Sequence, residues 1–203
     1  MTALVIGLGG RLRSGKDAFA DHLVAKHGFR KIGMSDALHE ALLAIDPVVG
    51  WVPPGVAAPG GAVVDGPLRY SEAIADLGYV EAKARFPEVR RLLQKLGTEV
   101  GRNMVGENVW VNIIARKIDD SLYADEPVIV TGIRFPNEIS MIRSFAGRAI
   151  WIDRPGEQAP AGAAVHASEN GVQPHEFDLT VDNDGTLEDL YAKARAILGG
   201  TRR

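Results

Sequence analysis

In Gly10-Arg11-Leu12-Arg13-Ser14-Gly15-Lys16-Asp17, four residues separate two glycines and a lysine follows the second, just behind the apolar run Ala3-Leu4-Val5-Ile6-Gly7. A turn with this spacing curls the backbone so that successive N–H groups point inward, toward phosphate oxygens. A helix starting near Asp17 adds its positive end, and Lys16 adds a mobile point charge. The chemistry indicated is the binding of a nucleotide's phosphates by Gly10, Arg11, Arg13, Ser14, Gly15, Lys16 and Asp17. Asp17 stands where a Ser or Thr usually touches magnesium. A glycine turn made only for tight packing is the alternative. A dinucleotide fingerprint is excluded, because Gly7 and Gly9 fit its spacing but the third glycine position is Leu12.

Transfer of a phosphoryl group needs positive charge and positioning more than covalent chemistry, which directs attention to arginines near strand ends. Arg134 directly follows the apolar run Val128–Ile133, and in an open parallel sheet the C-terminal strand ends surround the ligand crevice. A structural salt bridge is its other reading. Asn137 and Glu138, next in line, are either site residues or caps of the following helix. Arg102 lies in a helix with Gly97 and Gly101, which permit either close approach of a ligand or tight helix packing. Trp110 falls one position off its helix's apolar stripe, facing a cleft or partly buried in the core. Arg154, His166, Ser168 and Glu169 lie in a polar loop leaving a strand end, where a lid would sit. The histidines lack metal-ligand spacing, so zinc is not expected, and no Ser-His-Asp arrangement follows from the spacing.

The elements that must position these groups alternate. Helix is predicted from 17 to about 27, with Phe19 and Leu23 on one face and Gly28 as the stop. A short strand at Phe29–Gly33 and a helix capped by Ser35 or Asp36 come next. Between Pro47 and Pro67, five prolines and five glycines mark an insertion that is a long loop or an irregular hairpin. Further helices are expected at Tyr70–Gly78, capped by Ser71; from Pro87 through Val100; and at Glu107–Leu122, burying Val109, Ile113, Ile114, Ile118 and Leu122. Strands at Pro127–Ile133, Ala149–Ile152 and Phe177–Val181 enclose a helix at Pro136–Ala146 with Gly147 after it. A last helix spans Thr186–Leu198, with Leu187, Leu190, Ala194 and Ile197 inward. Strands alternating with helices imply an α/β protein: a parallel central sheet with helices on both faces.

The 203 residues suit a single domain at 1–203, with the insertion at about 47–67 and a lid loop at about 154–176. Apolar content of 46% and charged content of 24% are those of an ordinary globular protein, and a net charge of −3 gives no reason to expect a nucleic acid polymer as partner. Zero cysteines exclude disulfides and thiolate metal sites. No apolar run approaches the ~20 residues of a membrane span, and the start shows no cleavable targeting pattern.

Taken together, these blocks resemble the deoxynucleoside monophosphate kinases of bacteriophages, within the P-loop nucleoside monophosphate kinase-like fold. The resemblance rests on Ser14-Gly15-Lys16-Asp17, where the family also has Asp; Ser35-Asp36-Ala37-Leu38; Leu93 to Glu99 with Arg102, Glu107 and Trp110; Ile133 to Glu138; Arg154-Pro155-Gly156; His166 to Glu169; and Asn183 to Leu187. It implies a three-layer α/β/α fold with a short lid, and ATP-dependent phosphorylation of deoxynucleoside 5′-monophosphates with Mg2+. Lys16, Asp17, Arg102 and Arg134 would be catalytic, with Asp17 meeting magnesium directly or through water. Arg154 and His166 would join the phosphate loop around ATP. Asp36, Arg69, Arg102, Trp110, Arg134 and Glu138 would face the acceptor. The partners implied are small-molecule nucleotides, with no nucleic acid polymer and no membrane; homodimer formation stays open. The location implied is cytoplasmic, in the host if the protein is of phage origin. Members of the family usually carry Asp two residues before the Arg-Phe-Pro-Asn-Glu block, where this chain has Gly132. A different small-molecule kinase, such as a dephospho-CoA kinase, and a non-catalytic nucleotide-binding regulator are the alternatives.

Overall fold

The interior strands follow from their composition. Val5–Gly10 (β1), Val128–Ile133 (β5) and Arg148–Asp153 (β6) are nearly continuous apolar runs, buried almost throughout, as parallel strands covered on both faces must be. In the computed structural model, which describes residues 4–52, 66–155 and 171–200, they form the middle of a five-stranded parallel sheet. Its order is β2-β5-β1-β6-β7, with Arg30–Gly33 (β2) and Leu179–Asp182 (β7) at the edges. The edge strands are mostly exposed and carry Arg30 and Lys31 on one side and Thr180 on the other.

Side chains of β1 alternate between two helical layers. Ile6 and Leu8 pack with Phe19, Ala20 and Leu23 of Lys16–His27 (α1) and with Leu190 and Ala194 of Leu187–Gly200 (α7). Gly7 faces the other way, and a Cβ there would run into Ile142 of Pro136–Ser144 (α6). Helices on both faces make this a three-layer α/β/α fold, as expected. Gly28 ends α1 in the left-handed conformation that glycine adopts without cost.

The chain forms two compact units: residues 1–34 with 111–203, which hold the sheet, and residues 35–110. The second unit contains Asp36–Ile45 (α2), an antiparallel hairpin of Val48–Val52 (β3) and Gly66–Arg69 (β4), Tyr70–Arg85 (α3) and Pro87–Gln94 (α4). A π-helix at Lys95–Val105 completes it. Its core gathers Leu42, Val49, Val52, Leu68, Tyr70, Ala73, Ala82, Val89 and Leu93. The Pro/Gly-rich insertion is thus a hairpin at its two ends, and residues 53–65 between them lie outside the described residues.

Several local expectations change. Ser71 does not cap α3; its N–H donates to Asp46 Oδ1 (2.8 Å), while Glu72 Oε2 accepts the Arg69 N–H (2.8 Å) in its place. That helix also continues past Gly78, whose φ of 74° lets the chain kink and resume to Arg85. Ser35 sits at the start of α2 without a capping hydrogen bond. After α4 the helix goes on as expected, but with π-type winding from Lys95. In Val109–Tyr123 (α5) the buried stripe is Val111, Ile114, Ile118 and Ser121; Ile114 and Ile118 are as expected, whereas Val109, Ile113 and Leu122 are only partly buried. Ser121 passes as a core residue because its hydroxyl donates to the Lys117 carbonyl (2.9 Å). Ala146, not Gly147, takes the left-handed conformation after α6; Gly147 is small because a Cβ would come 2.7 Å from the Val5 carbonyl oxygen. Leu187 is exposed at the start of α7.

Candidate active site

The phosphate loop leaves the C-terminal end of β1 and enters α1. Gly10 has φ of 146°, and a Cβ there would meet the Ile152 carbonyl oxygen at 2.5 Å. Gly15 precedes α1 in the left-handed conformation, φ 95°. Arg13 shares that region at φ 61°, an uncommon choice for a residue with a Cβ. The resulting turn brings the Ser14 N–H to the Arg11 carbonyl (3.2 Å), and Lys16 Nζ donates to that same carbonyl at 2.9 Å. The lysine thus lies folded over the loop it serves. Ser14 is buried at the loop's centre, whereas Arg11 and Arg13 project outward.

The other arginines of this unit leave neighbouring strand ends. Arg134 follows β5 and Arg154 follows β6, both exposed, so they and the loop after β1 share the C-terminal edge of the sheet. This is the edge where open α/β sheets bind ligands. Glu138 is buried in the first turn of α6; its Oε2 accepts the N–H groups of Arg134 (2.6 Å) and Phe135 (3.1 Å). Of the two readings of Glu138, the structure shows the cap. Gly132 lies where the β1–β5 register slips, Leu8 pairing with Thr131 and Gly9 with Ile133. At φ 84°, with Met34 Cβ 4.0 Å away as its nearest neighbour, it fills a bulge that has room for a side chain but disfavours one conformationally. His166, Ser168 and Glu169 lie outside the described residues, as does most of the expected lid.

Asp17 opens α1 with its carboxylate in solvent, ion-paired with Lys31 Nζ at 3.2 Å; Asp21, one turn on, holds the same ammonium at 2.9 Å. Partial burial works against the charge on Lys31. The hydrogen bonds to Asp21 and Asp17 outweigh it and hold the lysine above its ordinary pKa. Among the described residues no group of three or more His, Cys, Asp or Glu side chains is placed to cage a metal ion. Asp17, the carboxylate expected to meet magnesium directly or through water, is exposed at the loop's exit and shares its charge with Lys31.

In the second unit, Asp36 begins α2 and Arg69 precedes α3, its Nη1 donating to the Asp46 carbonyl (2.9 Å). Arg102 lies on the π-helix, as does Gly97, whose carbonyl accepts the Trp110 indole N–H at 2.9 Å. A Cβ on Gly101 would collide with the same indole. Gly101 therefore serves packing against Trp110, and Gly97 leaves room for Leu38, whose Cδ1 would lie 3.2 Å from a Cβ there. Sequence reasoning missed a polar cluster here: His39 Nδ1 lies 2.7 Å from Tyr70 Oη, with the Tyr79 ring 4.9 Å from the imidazole. Burial pushes the Tyr70 phenol up to about 12 and lowers the His39 imidazole against the opposing pull of Asp36 and Glu40.

A parallel sheet whose first strand turns through a Gly-x4-Gly-Lys loop into a helix defines a P-loop nucleotide-binding protein. The sequence model of the family "Deoxynucleotide monophosphate kinase" matches residues 72–194, more than half of the chain, and the chain belongs to that family. Deoxynucleotide monophosphate kinases of Escherichia phage RB69 and Enterobacteria phage T4 are 34% and 32% identical to it over 111 residues. Those matches take in 54% of this chain and 44% and 45% of the relatives. The deoxynucleoside-5′-monophosphate kinase of Escherichia phage T5 is 33% identical over 95 residues, 43% of this chain and 36% of the relative. The chain thus spans less than half the length of these relatives. Shikimate kinase from Aquifex aeolicus aligns with a TM-score of 0.48 at 14% identity, over 98% of each chain. Among the described residues no helix is long and apolar enough to cross a membrane.

Proposed function

We propose that this protein transfers the γ-phosphoryl group of ATP to a deoxynucleoside 5′-monophosphate, leaving ADP and the deoxynucleoside diphosphate. The observation that carries the reading is the loop from Gly10 to Lys16, whose lysine is within reach of the loop's own centre. Family membership supplies the reaction class. In the transfer, the bond between the γ-phosphorus and the β–γ bridging oxygen breaks while an oxygen of the acceptor's 5′-phosphate takes the phosphorus.

Loop N–H groups and Lys16 would hold the donor's β- and γ-phosphates. Lys16 exchanges its bond to the Arg11 carbonyl for phosphate oxygens, a stronger charge-assisted contact. Arg134 and Arg154, at the strand ends beside the loop, would offset the negative charge of the phosphates and of the transferring group. Asp36, Arg69, Arg102 and Trp110 of the second unit are proposed for the acceptor, Trp110 through its ring rather than its indole N–H, which Gly97 occupies. Magnesium would come to the site with the nucleotide, as part of the donor, and no step is assigned to a metal held by the chain. Small-molecule nucleotides are the proposed partners, and the cytoplasm of an infected host the proposed location.

The test is an ADP-release assay with ATP and a panel of deoxynucleoside monophosphates, dephospho-CoA included. Stimulation by one or more deoxynucleotides is expected. Stimulation by dephospho-CoA alone would move the protein to another kinase class, and nucleotide binding without turnover would make it a regulator.

A further inference from the structure

The peptide carbonyl of Ser14 lies inside the phosphate loop, on a residue only 1% exposed, where an acceptor without a donor would be costly. Its donor comes from far along the chain: Asn183 Nδ2 stands 2.9 Å away, on a residue itself 7% exposed. Asn183 follows β7 directly, and its own N–H donates to the Asp153 carbonyl at the end of β6 (2.6 Å). The side-chain amide also backs the left-handed Gly15, since a Cβ on that glycine would strike Nδ2. One residue is thereby tied to the end of β6 on one side and to the centre of the phosphate loop on the other.

The geometry points to Asn183 as a positioning residue for the phosphate loop, a role that deepens the kinase reading and rests on it. Ser14 has its N–H drawn to Arg11 and its carbonyl drawn back to Asn183. The Ser14 carbonyl and the Gly15 N–H belong to one planar trans peptide and point opposite ways, so the bond from Asn183 turns the Gly15 N–H toward the cradle. Only the nitrogen end of a carboxamide suits a carbonyl partner; a carboxylate of the same shape has no proton to donate until it is acidified.

The experiment compares the native chain with Asn183→Leu and with the shape-matched Asn183→Asp. Three readouts are taken: affinity for the fluorescent donor analogue mant-ATP, amide hydrogen exchange across residues 10–17 without nucleotide, and steady-state kinetics. Both variants are expected to bind mant-ATP about tenfold more weakly at pH 7.5, the loss due when one buried acceptor goes unmatched. Exchange across 10–17 should quicken, and KM for ATP should rise while KM for the acceptor monophosphate stays put. Lowering the pH should restore affinity in Asn183→Asp alone, as its carboxyl regains a proton. A folded variant with native affinity and native exchange would overturn the role. Loss of the whole fold in Asn183→Asp would also overturn it, by making Asn183 a residue of general stability. If the native chain binds mant-ATP but phosphorylates nothing, the kinase reading fails while affinity and exchange still decide the positioning role.

Discussion

Trp110 and Gly97 are joined by a 2.9 Å hydrogen bond from the indole N–H to a carbonyl of the π-helix. A π-helix, bonded from residue i to i+5, is rare and persists only where surrounding contacts support it. Here the bulky indole lies against Gly97 and Gly101, and its N–H satisfies a carbonyl. The arrangement sets the path of the chain up to Arg102.

Gly101→Ala should therefore destabilise the second unit by about 1–3 kcal/mol, the usual result of overpacking a filled contact. Trp110→Phe should lose about 1 kcal/mol through the hydrogen bond alone. Urea titration followed by circular dichroism checks both. A native midpoint for Gly101→Ala would show that the indole moves aside.

Lys16→Ala should abolish phosphoryl transfer and leave the fold intact, because Lys16 Nζ meets the Arg11 carbonyl at an exposed position. ADP release and thermal unfolding, measured on one preparation, separate the two effects. Activity retained at more than a few per cent would remove Lys16 from the donor site.

Glu138→Ala should cost about 1–3 kcal/mol, since the N–H groups of Arg134 and Phe135 both lose their acceptor. Turnover should fall as well, because the backbone of Arg134 is no longer fixed. Glu138→Gln keeps an acceptor oxygen and should recover most of both losses. The comparison requires melting curves and kcat for the two variants.

Burial lowers the pKa of His39, and that of His22 in the sheet unit moves the same way for the same first reason. A histidine depressed in the folded state takes up its proton more readily when unfolded. Stability should then be full above about pH 6.5, the unfolded value, and should decline as the pH falls from there toward the folded values. His39→Asn, which can still meet the Tyr70 hydroxyl, should flatten part of that decline; melting temperatures at pH 5.5 and 7.5 report it. An unchanged pH dependence would take His39 out of the account.

Much of this was readable in the chain itself. Runs such as Val128–Ile133 announce interior parallel strands because burial on both faces leaves little place for polar residues, Thr131 being the one in this run. The phosphate loop was readable because glycine at positions 10 and 15 meets conformational needs that few other residues can. The π-helix was not, since its hydrogen bonds reach one residue further than those of an α-helix and leave no mark on composition. Ser121 hid the true stripe of α5 by being polar yet self-satisfied. Glu138 and Trp110 look reactive in sequence, and the hydrogen bonds that occupy Glu138 Oε2 and the Trp110 indole N–H appear only once the chain is folded. Gly132 reads as a missing carboxylate, but its place in a bulge gives the glycine a conformational reason of its own.

The bond between Asn183 and Ser14 spans 169 positions of sequence. During synthesis the first strand and its loop leave the ribosome long before the residue that completes them. Closing so long a stretch of chain carries an entropic cost that local turns do not. The phosphate loop is therefore among the first segments made and among the last whose hydrogen bonds can all be in place.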